Sequence, residues 1–307
     1  MKNEIRRILI SGATGYVADQ MLPAFRDRYE TVLVDTRKEN RRGESVEGVH
    51  IVDLIDPDRS KYSQLFAGVD AVIHLAYKKR TGDPLDQFED EKQNVEMAYN
   101  VLRTSYEAGV SRVVMASSNH AADWYEHALI HERQIDLVDP YDLPLSDNFY
   151  GWAKATYEHL GFIFASGGMG KGGDGAAGSA ATGNLLQGNL NTSRKMGVVM
   201  IRIGAPRELE TNEYKGQPAA FKRDLGAYIS PRDITQLFQK GMEAHDIENE
   251  YGIPWHVVYG ISDNTRAFWS LANAREVLGY APEDDSELKF ADGVRELLSG
   301  QGRVGPL

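Results

Sequence analysis

Tyr150 and Lys154, in the run Tyr-Gly-Trp-Ala-Lys, stand one helical turn apart, which puts both side chains on one helix face. A phenol ionises near pH 10, too high for a base at neutral pH. An ammonium beside it favours the phenolate, so Lys154 is expected to lower the Tyr150 pKa until the oxygen can take a proton from a hydroxyl. Upstream, Ser117 and Ser118 close an apolar run, where a serine hydroxyl can position and polarise the reacting oxygen. The chemistry outlined is deprotonation of an alcohol and, with a hydride acceptor bound beside it, its oxidation.

A hydride acceptor has a candidate site at the start of the chain. The apolar run Ile8-Leu9-Ile10 leads into Ser11-Gly12-Ala13-Thr14-Gly15-Tyr16-Val17-Ala18, and helical patterning follows over Gln20 to Arg28. Glycines at 12 and 15 let the backbone turn tightly and approach a pyrophosphate, whose charge then sits at the positive end of a helix; Thr14, Tyr16 and Val17 lie in the same turn. Asp35 closes the second apolar run about 20 residues later, at the spacing of an acid that accepts hydrogen bonds from an adenosine ribose and repels a 2′-phosphate. NAD is therefore expected as the cofactor. The cluster Arg37, Lys38, Arg41 and Arg42 leaves the opposite preference, for NADP, open. Asp53 and Leu54 are placed to touch adenine. Lys154 is expected to hold the nicotinamide ribose, and Leu75, Ala76, Tyr77, Ala116 and Ile203, at or near strand ends, to line the cofactor.

The elements that must position these residues follow an alternating β-α pattern. Strands are predicted at Arg7 to Ser11, Thr31 to Asp35, His50 to Val52, Ala71 to Leu75, Arg112 to Ser117 and Val198 to Ile203. Val95, Tyr99, Leu102 and Tyr106 recur at helical spacing, predicting a helix from Phe88 to Ala108 that ends at Gly109. A second helix is predicted from Tyr150 to Ala165. The fold class is therefore α/β, a Rossmann-type doubly wound parallel sheet with a smaller C-terminal lobe. The dinucleotide-binding part spans 1–205, with a glycine-rich insertion at 166–193. The smaller lobe spans 206–307, with helices at Pro231 to Ala244, Leu271 to Leu278 and Phe290 to Leu298, a strand near His256 to Tyr259, and a packing stripe of Trp255, Phe268 and Trp269.

Composition narrows the function. A net charge of -11 over 307 residues repels nucleic acid and anionic membranes, so neither is an expected partner. With no cysteine, a disulfide framework, a thiolate metal site and a cysteine nucleophile are excluded. The opening residues run into a short strand with no signal-peptide pattern, and no apolar run is long enough to span a membrane, so a cytoplasmic protein is expected. The long helix over Phe88 to Ala108 is a candidate self-association surface, and a homo-oligomer is expected. His127 and His131 have a spacing that can bind zinc on a helix, but no third ligand is evident, so no metal is expected.

The order of glycine turn, acidic strand end, Ser-Ser strand end and Tyr-x-x-x-Lys resembles the extended short-chain dehydrogenase/reductase family along essentially the whole chain outside the glycine-rich stretch. By that resemblance, Ser118 matches the catalytic serine, and Asn94, in Gln93-Asn94-Val95, matches an asparagine that supports a proton relay. Ser117-Ser118-Asn119-His120, with Val258-Tyr259-Gly260-Ile261-Ser262-Asp263-Asn264 and Leu278-Gly279-Tyr280-Ala281-Pro282 downstream, looks like the uronate dehydrogenases and NAD-dependent glucose-6-phosphate dehydrogenases, which oxidise an aldose C1 hydroxyl to a lactone. In that subgroup Asn119 and His120 bind sugar hydroxyls, and Ser118 and Tyr150 meet the reacting one.

Two departures bear on the sugar. Lys78-Lys79-Arg80 follows the fourth strand, where cations such as Lys79 can hold a phosphate or carboxylate. Asn212-Glu213-Tyr214-Lys215 resembles a segment that supplies an arginine for a substrate carboxylate, but here Lys215 offers a point charge in place of a bidentate clamp. Arg207 is a further anion ligand to consider. A sugar with an anionic group is therefore expected. Two rivals stand beside this reading: a nucleotide-sugar epimerase or dehydratase, which regenerates its cofactor each turnover, and a noncatalytic NAD-binding sensor or interaction protein.

Overall fold

The computed structural model describes residues 4–167 and 195–298. Beyond Gly167, the glycine-rich insertion lies outside the described residues. In chain order the elements are β1 (Arg7–Ser11), α1 (Tyr16–Arg28), β2 (Glu30–Asp35), β3 (Val49–Ile51), β4 (Ala71–His74), α2 (Gln87–Ala108), β5 (Arg112–Ser118), the single turn α3 (Asp123–Tyr125) and α4 (Phe149–Ala165). There follow β6 (Gly197–Ile203), α5 (Pro218–Ala227), α6 (Pro231–Glu243), β7 (Trp255–Gly260), α7 (Ala272–Leu278), α8 (Ser286–Lys289) and α9 (Ala291–Leu298).

The seven strands pair in the order β3-β2-β1-β4-β5-β6-β7, every pair parallel. Strands so apolar throughout must be covered on both faces, and alternate residues supply two cores. Ile8 and Ile10 pack with Met21, Phe25 and Phe238 on one side. Leu9 packs with Val101, Leu102 and Tyr157 on the other. Helices α1 and α6 thus cover one face, α2 and α4 the other. Helix α2 stops where expected: Gly109 takes φ 85°, a left-handed cap that glycine adopts at little cost.

The strand order reverses between β1 and β4, the place where doubly wound sheets hold ligands in the crevice at the carboxyl ends of their strands. The last third of the chain is shared out differently from the expectation. The strand foreseen in a separate lobe is β7, in register with β6 from Val198↔Trp255 to Ile203↔Gly260, and Ile234, Leu237 and Phe238 of α6 join the main core. What stands apart is a smaller cluster of Leu209, Tyr214, Phe221, Leu225 and Tyr228, capped by Phe290, Val294 and Leu297. Nor do the three aromatics form one stripe, because Trp255 packs on the α4 side of the sheet while Phe268 and Trp269 pack on the other.

Candidate active site

The crevice begins at the glycine turn. Gly12 has φ 71°, and a side chain there would bring its Cβ to 2.6 Å from the backbone nitrogen of Ala76. The loops after β1 and β4 therefore touch, and only glycine fits. Gly15 caps α1 without a side-chain hydrogen bond, leaving the first amides of the helix for an anion. Thr14 is turned away from that role: its amide (2.9 Å) and hydroxyl (2.8 Å) both donate to Asp35 Oδ2. Asp35 accepts the Thr36 amide on Oδ1 as well (2.7 Å), so it ties the turn to the end of β2. Of the basic cluster, Arg42 is spent on Asp19 and Glu44, Arg41 lies over the Tyr16 ring at 5.4 Å, and Arg37 Nε donates to Thr14 Oγ1 (3.2 Å). Asp53 accepts the Ile55 amide (2.9 Å), and Asn100 donates to the carbonyl of buried Leu54 (2.9 Å).

Across the crevice, β5 ends at Ser118 and α4 begins at Phe149. Asn148 caps α4 by accepting the Gly151 amide (2.9 Å); this puts Tyr150 in the first turn and Lys154 in the next. Gly151 lies so close to His120 O that a Cβ would sit 1.9 Å from it, which clamps the helix start against the segment after β5. Lys154 Nζ donates to Ala116 O (3.0 Å), and burial pushes its amine down to about 8, with Glu91 and Glu158 opposing. Ala116 lies on β5 and Ile203 on β6, with Ile203 in register with Ser118.

The expected lowering of the Tyr150 pKa is not what this arrangement gives. Burial pushes the phenol up, Glu91 adds to that, and only the Ser118 hydrogen bond and the Arg80 guanidinium pull it down. Burial is the largest cause, and the Lys154 ammonium, 5.7 Å from the Tyr150 ring centroid, is hydrogen-bonded to the Ala116 carbonyl. Arg80, at 5.1 Å from the same centroid, is the cation acting on the phenol. Asn94 is fully buried and grips the loop after β4, accepting the Lys78 amide (2.7 Å) and donating to its carbonyl (3.0 Å). Tyr77, beyond Leu75 and Ala76, stands edge-on to Tyr150 at 5.5 Å.

On the substrate side, the His120 ring stands edge-on to Tyr150 at 5.6 Å. Asn119 is buried; with its amide oriented to satisfy both ends, Nδ2 donates to Ile203 O (3.1 Å) and Oδ1 accepts from Arg223 (2.6 Å). Arg223, on α5, escaped the sequence reading. It makes a two-pronged bond to Glu126 (2.8 and 3.0 Å), a third bond to Asp224 (3.0 Å) and a cation-π contact with Trp269 (5.4 Å). Arg207 is paired with Asp224 (2.5 Å). Lys79 and Lys215 are exposed. His127 and His131 do not converge: His127 pairs with Asp147 (2.7 Å) and His131 with Glu126 (3.4 Å). Ligand atoms of Asp123, His127 and Asp147 do lie within 4.8 Å of one another, but Asp123 is already held by His120 and Asn148.

A glycine cradle at the switch point of a parallel sheet, facing a serine, a tyrosine and a buried lysine, defines a dinucleotide-binding enzyme. Residues 8–167 match the model of the NAD dependent epimerase/dehydratase family, and the chain belongs to that family. It is an NAD-dependent dehydrogenase of the extended short-chain type, similar to the NAD-dependent glucose-6-phosphate dehydrogenase of Haloferax volcanii (28% identity, covering 91% of this chain and 94% of that protein). The uronate dehydrogenase of Pseudomonas syringae pv. tomato is 25% identical (92% and 83% covered). Among solved structures, a mutant uronate dehydrogenase from Agrobacterium tumefaciens complexed with NAD superposes with TM-score 0.66 at 21% identity (99% of this chain, 92% of that one). Among the described residues, no helix is long and apolar enough to cross a membrane.

Proposed function

We propose that the protein oxidises the C1 hydroxyl of an aldose carrying an anionic group, a hexuronate or a hexose 6-phosphate, to its lactone. When bound, NAD supplies the hydride acceptor. The amides at the start of α1 hold its pyrophosphate, Asp35 its adenosine ribose and Lys154 its nicotinamide ribose. Ser118 hydrogen-bonds the C1 oxygen, and Tyr150 in its phenolate form, the minor form at neutral pH, takes the hydroxyl proton as the C1 hydride departs, leaving the C1 carbonyl of the lactone. His120 and Asn119 meet the remaining hydroxyls. The carrying observation is the convergence of Ser118, Tyr150 and Lys154 on the crevice that the Gly12–Gly15 turn opens.

The loop after β4 favours an anionic sugar: Arg80 lies over Tyr150, and exposed Lys79 has no ion-pair partner among the described residues. A neutral aldose is favoured by a different observation, since Arg223, the guanidinium that reaches Asn119, is already neutralised by Glu126 and Asp224. The deciding assay follows NADH absorbance with glucuronate, galacturonate, glucose 6-phosphate, glucose and arabinose. NADH formed with an anionic sugar is the expected result. Turnover of neutral sugars alone overturns the anionic assignment, and no net NADH with any aldose overturns the reading in favour of an epimerase-type cycle or a noncatalytic role.

A further inference from the structure

Helix α2 points a carboxylate into the interior beside the candidate base. Glu91 is fully buried, a position a carboxylate keeps only when it is paired and hydrogen-bonded. Its Oε1 accepts the Tyr77 hydroxyl (2.7 Å) and lies 3.5 Å from Arg80 Nε, and its Oε2 accepts from Asn94 Nδ2 (3.2 Å). Tyr77 and Arg80 are the two side chains of that loop that contact the Tyr150 ring. One carboxylate thus anchors both.

Lys154 needs a countercharge. It is buried, with Nζ at 4.4 Å from the Tyr157 ring centroid, 5.5 Å from Tyr77 and 5.7 Å from Tyr150, and its hydrogen bond goes to a neutral carbonyl. Among the described residues, no carboxylate makes an ion pair with it. Two act on it from farther away, Glu91 and Glu158. Glu158 is committed to Arg202, which grips it at 2.8 Å through both Nε and Nη2. Among the described residues the one ion pair of Glu91 is with Arg80, whose side chain is 39% exposed and therefore screened by water.

We propose that Glu91 is a positioning residue of this site, its buried carboxylate serving as the countercharge that keeps Lys154 an ammonium while holding Tyr77 and Arg80 against Tyr150. The charged and titratable groups facing Lys154 are Glu91 from α2, Tyr77 and Arg80 from the loop after β4, His74 from β4, Tyr150, Tyr157 and Glu158 from α4, and Arg202 from β6. Burial keeps His74 neutral and the three phenols protonated through the neutral range, and Arg202 cancels Glu158. With the Arg80 side chain partly in water, the buried charges left to set the local balance are Lys154 and Glu91. Burial raises the Glu91 carboxyl against the bonds from Tyr77 and Asn94 and the charges of Arg80 and Lys154.

The Lys154 amine titrates at about 8 in the fold, against about 10.4 when unfolded. The unfolded chain therefore binds more protons between those values, and the cost of the buried ammonium is complete below the lower one and fades as pH rises to the upper one. Loss of the Glu91 charge deepens that cost.

The test is thermal melting of wild type, Glu91→Gln, Lys154→Met and the double variant from about pH 7 to about pH 10. Glu91→Gln is expected to lower the Tm by about 5 °C near neutral pH, with the gap closing toward the alkaline end. Glu91→Asp restores part of it, and in the Lys154→Met background the gap is small and flat. A gap that does not change with pH, or that persists unchanged without Lys154, overturns the countercharge. The melts need no substrate, so their outcome is separable from the aldose reading. Where an aldose is turned over, Glu91→Gln is expected to lose about tenfold more kcat at pH 8 than at pH 6; an equal loss at both would count against the proposal.

Discussion

Buried Asp123 accepts a 2.9 Å hydrogen bond from His120 Nδ1, three residues before it, and a 2.8 Å bond from the Asn148 amide. Burial raises the Asp123 carboxyl, but the bonds from His120 and Asn148 outweigh it and hold the group below its usual range. As an ionised acceptor, Asp123 fixes the proton of His120 on Nδ1, leaving Nε2 to accept from a hydroxyl in the crevice. The same carboxylate reaches the cap of α4, so His120 and Tyr150 are registered through one group.

Asp123→Asn is predicted to raise the KM for the accepted sugar by about tenfold with little change in NADH affinity. Steady-state kinetics and NADH fluorescence titration separate the two effects; equal weakening of both would mean that the segment after β5 had come apart.

Tyr150→Phe is predicted to cut kcat by at least about 100-fold while NADH binds as before, because the ring is kept and only the proton acceptor is lost. Wild-type turnover should rise with pH through the neutral range, since burial and Glu91 hold the phenol above its ordinary value. A pH-independent rate would remove Tyr150 as the base.

Gly12→Ala is predicted to destabilise the fold by about 2 kcal/mol and to weaken NAD binding more than tenfold, since the new methyl meets the Ala76 backbone at a positive φ. Urea unfolding and NADH titration read the two effects. Gly43→Ala, also at positive φ but with open space around it, should show a smaller stability loss and no binding defect.

The sheet was legible in the sequence because strands covered on both faces are apolar along most of their length, and the cofactor turn because its glycines answer a backbone requirement. The Tyr150–Lys154 pairing was legible as a spacing, but its electrostatics were not. They depend on the Ala116 carbonyl, on Arg80 and on Glu91, which lies 59 positions before Tyr150 in the chain. Arg223 was invisible for a similar reason: its partner Glu126 is 97 positions away. The Gln217-Pro218 start of α5 carried a helix signal, proline in the first turn, that would have drawn attention to it. β7 was misplaced because its position in the chain, after α5 and α6, says nothing about which edge it joins.

Beneath the site, Arg202 and Glu158 form a buried two-pronged pair that also binds Ser117 (2.7 Å) and Tyr259 (3.0 Å). Arg202→Met is predicted to cost about 3–5 kcal/mol, because it strands a buried carboxylate. Denaturant unfolding measures the loss, and adding Glu158→Gln should recover part of it. Full additivity of the two substitutions would show that they do not act as a pair.

His74 supplies the pH dependence of the fold on the acid side. Its Nδ1 is hydrogen-bonded to Ser11 Oγ (2.7 Å), and burial, reinforced by Lys154, pushes the imidazole down to about 3. The unfolded ring titrates near 6.5, so between these values the unfolded chain binds the extra proton. Stability is therefore complete at neutral pH and falls as pH drops below about 6.5, by about 2 kcal/mol from this group between pH 7 and pH 5. His74→Gln keeps an acceptor for Ser11 but cannot charge. The variant should be less stable than wild type at pH 7, and the difference should narrow by about that amount at pH 5, as read by urea unfolding at each pH. An unchanged difference would show that His74 is already protonated in the folded protein.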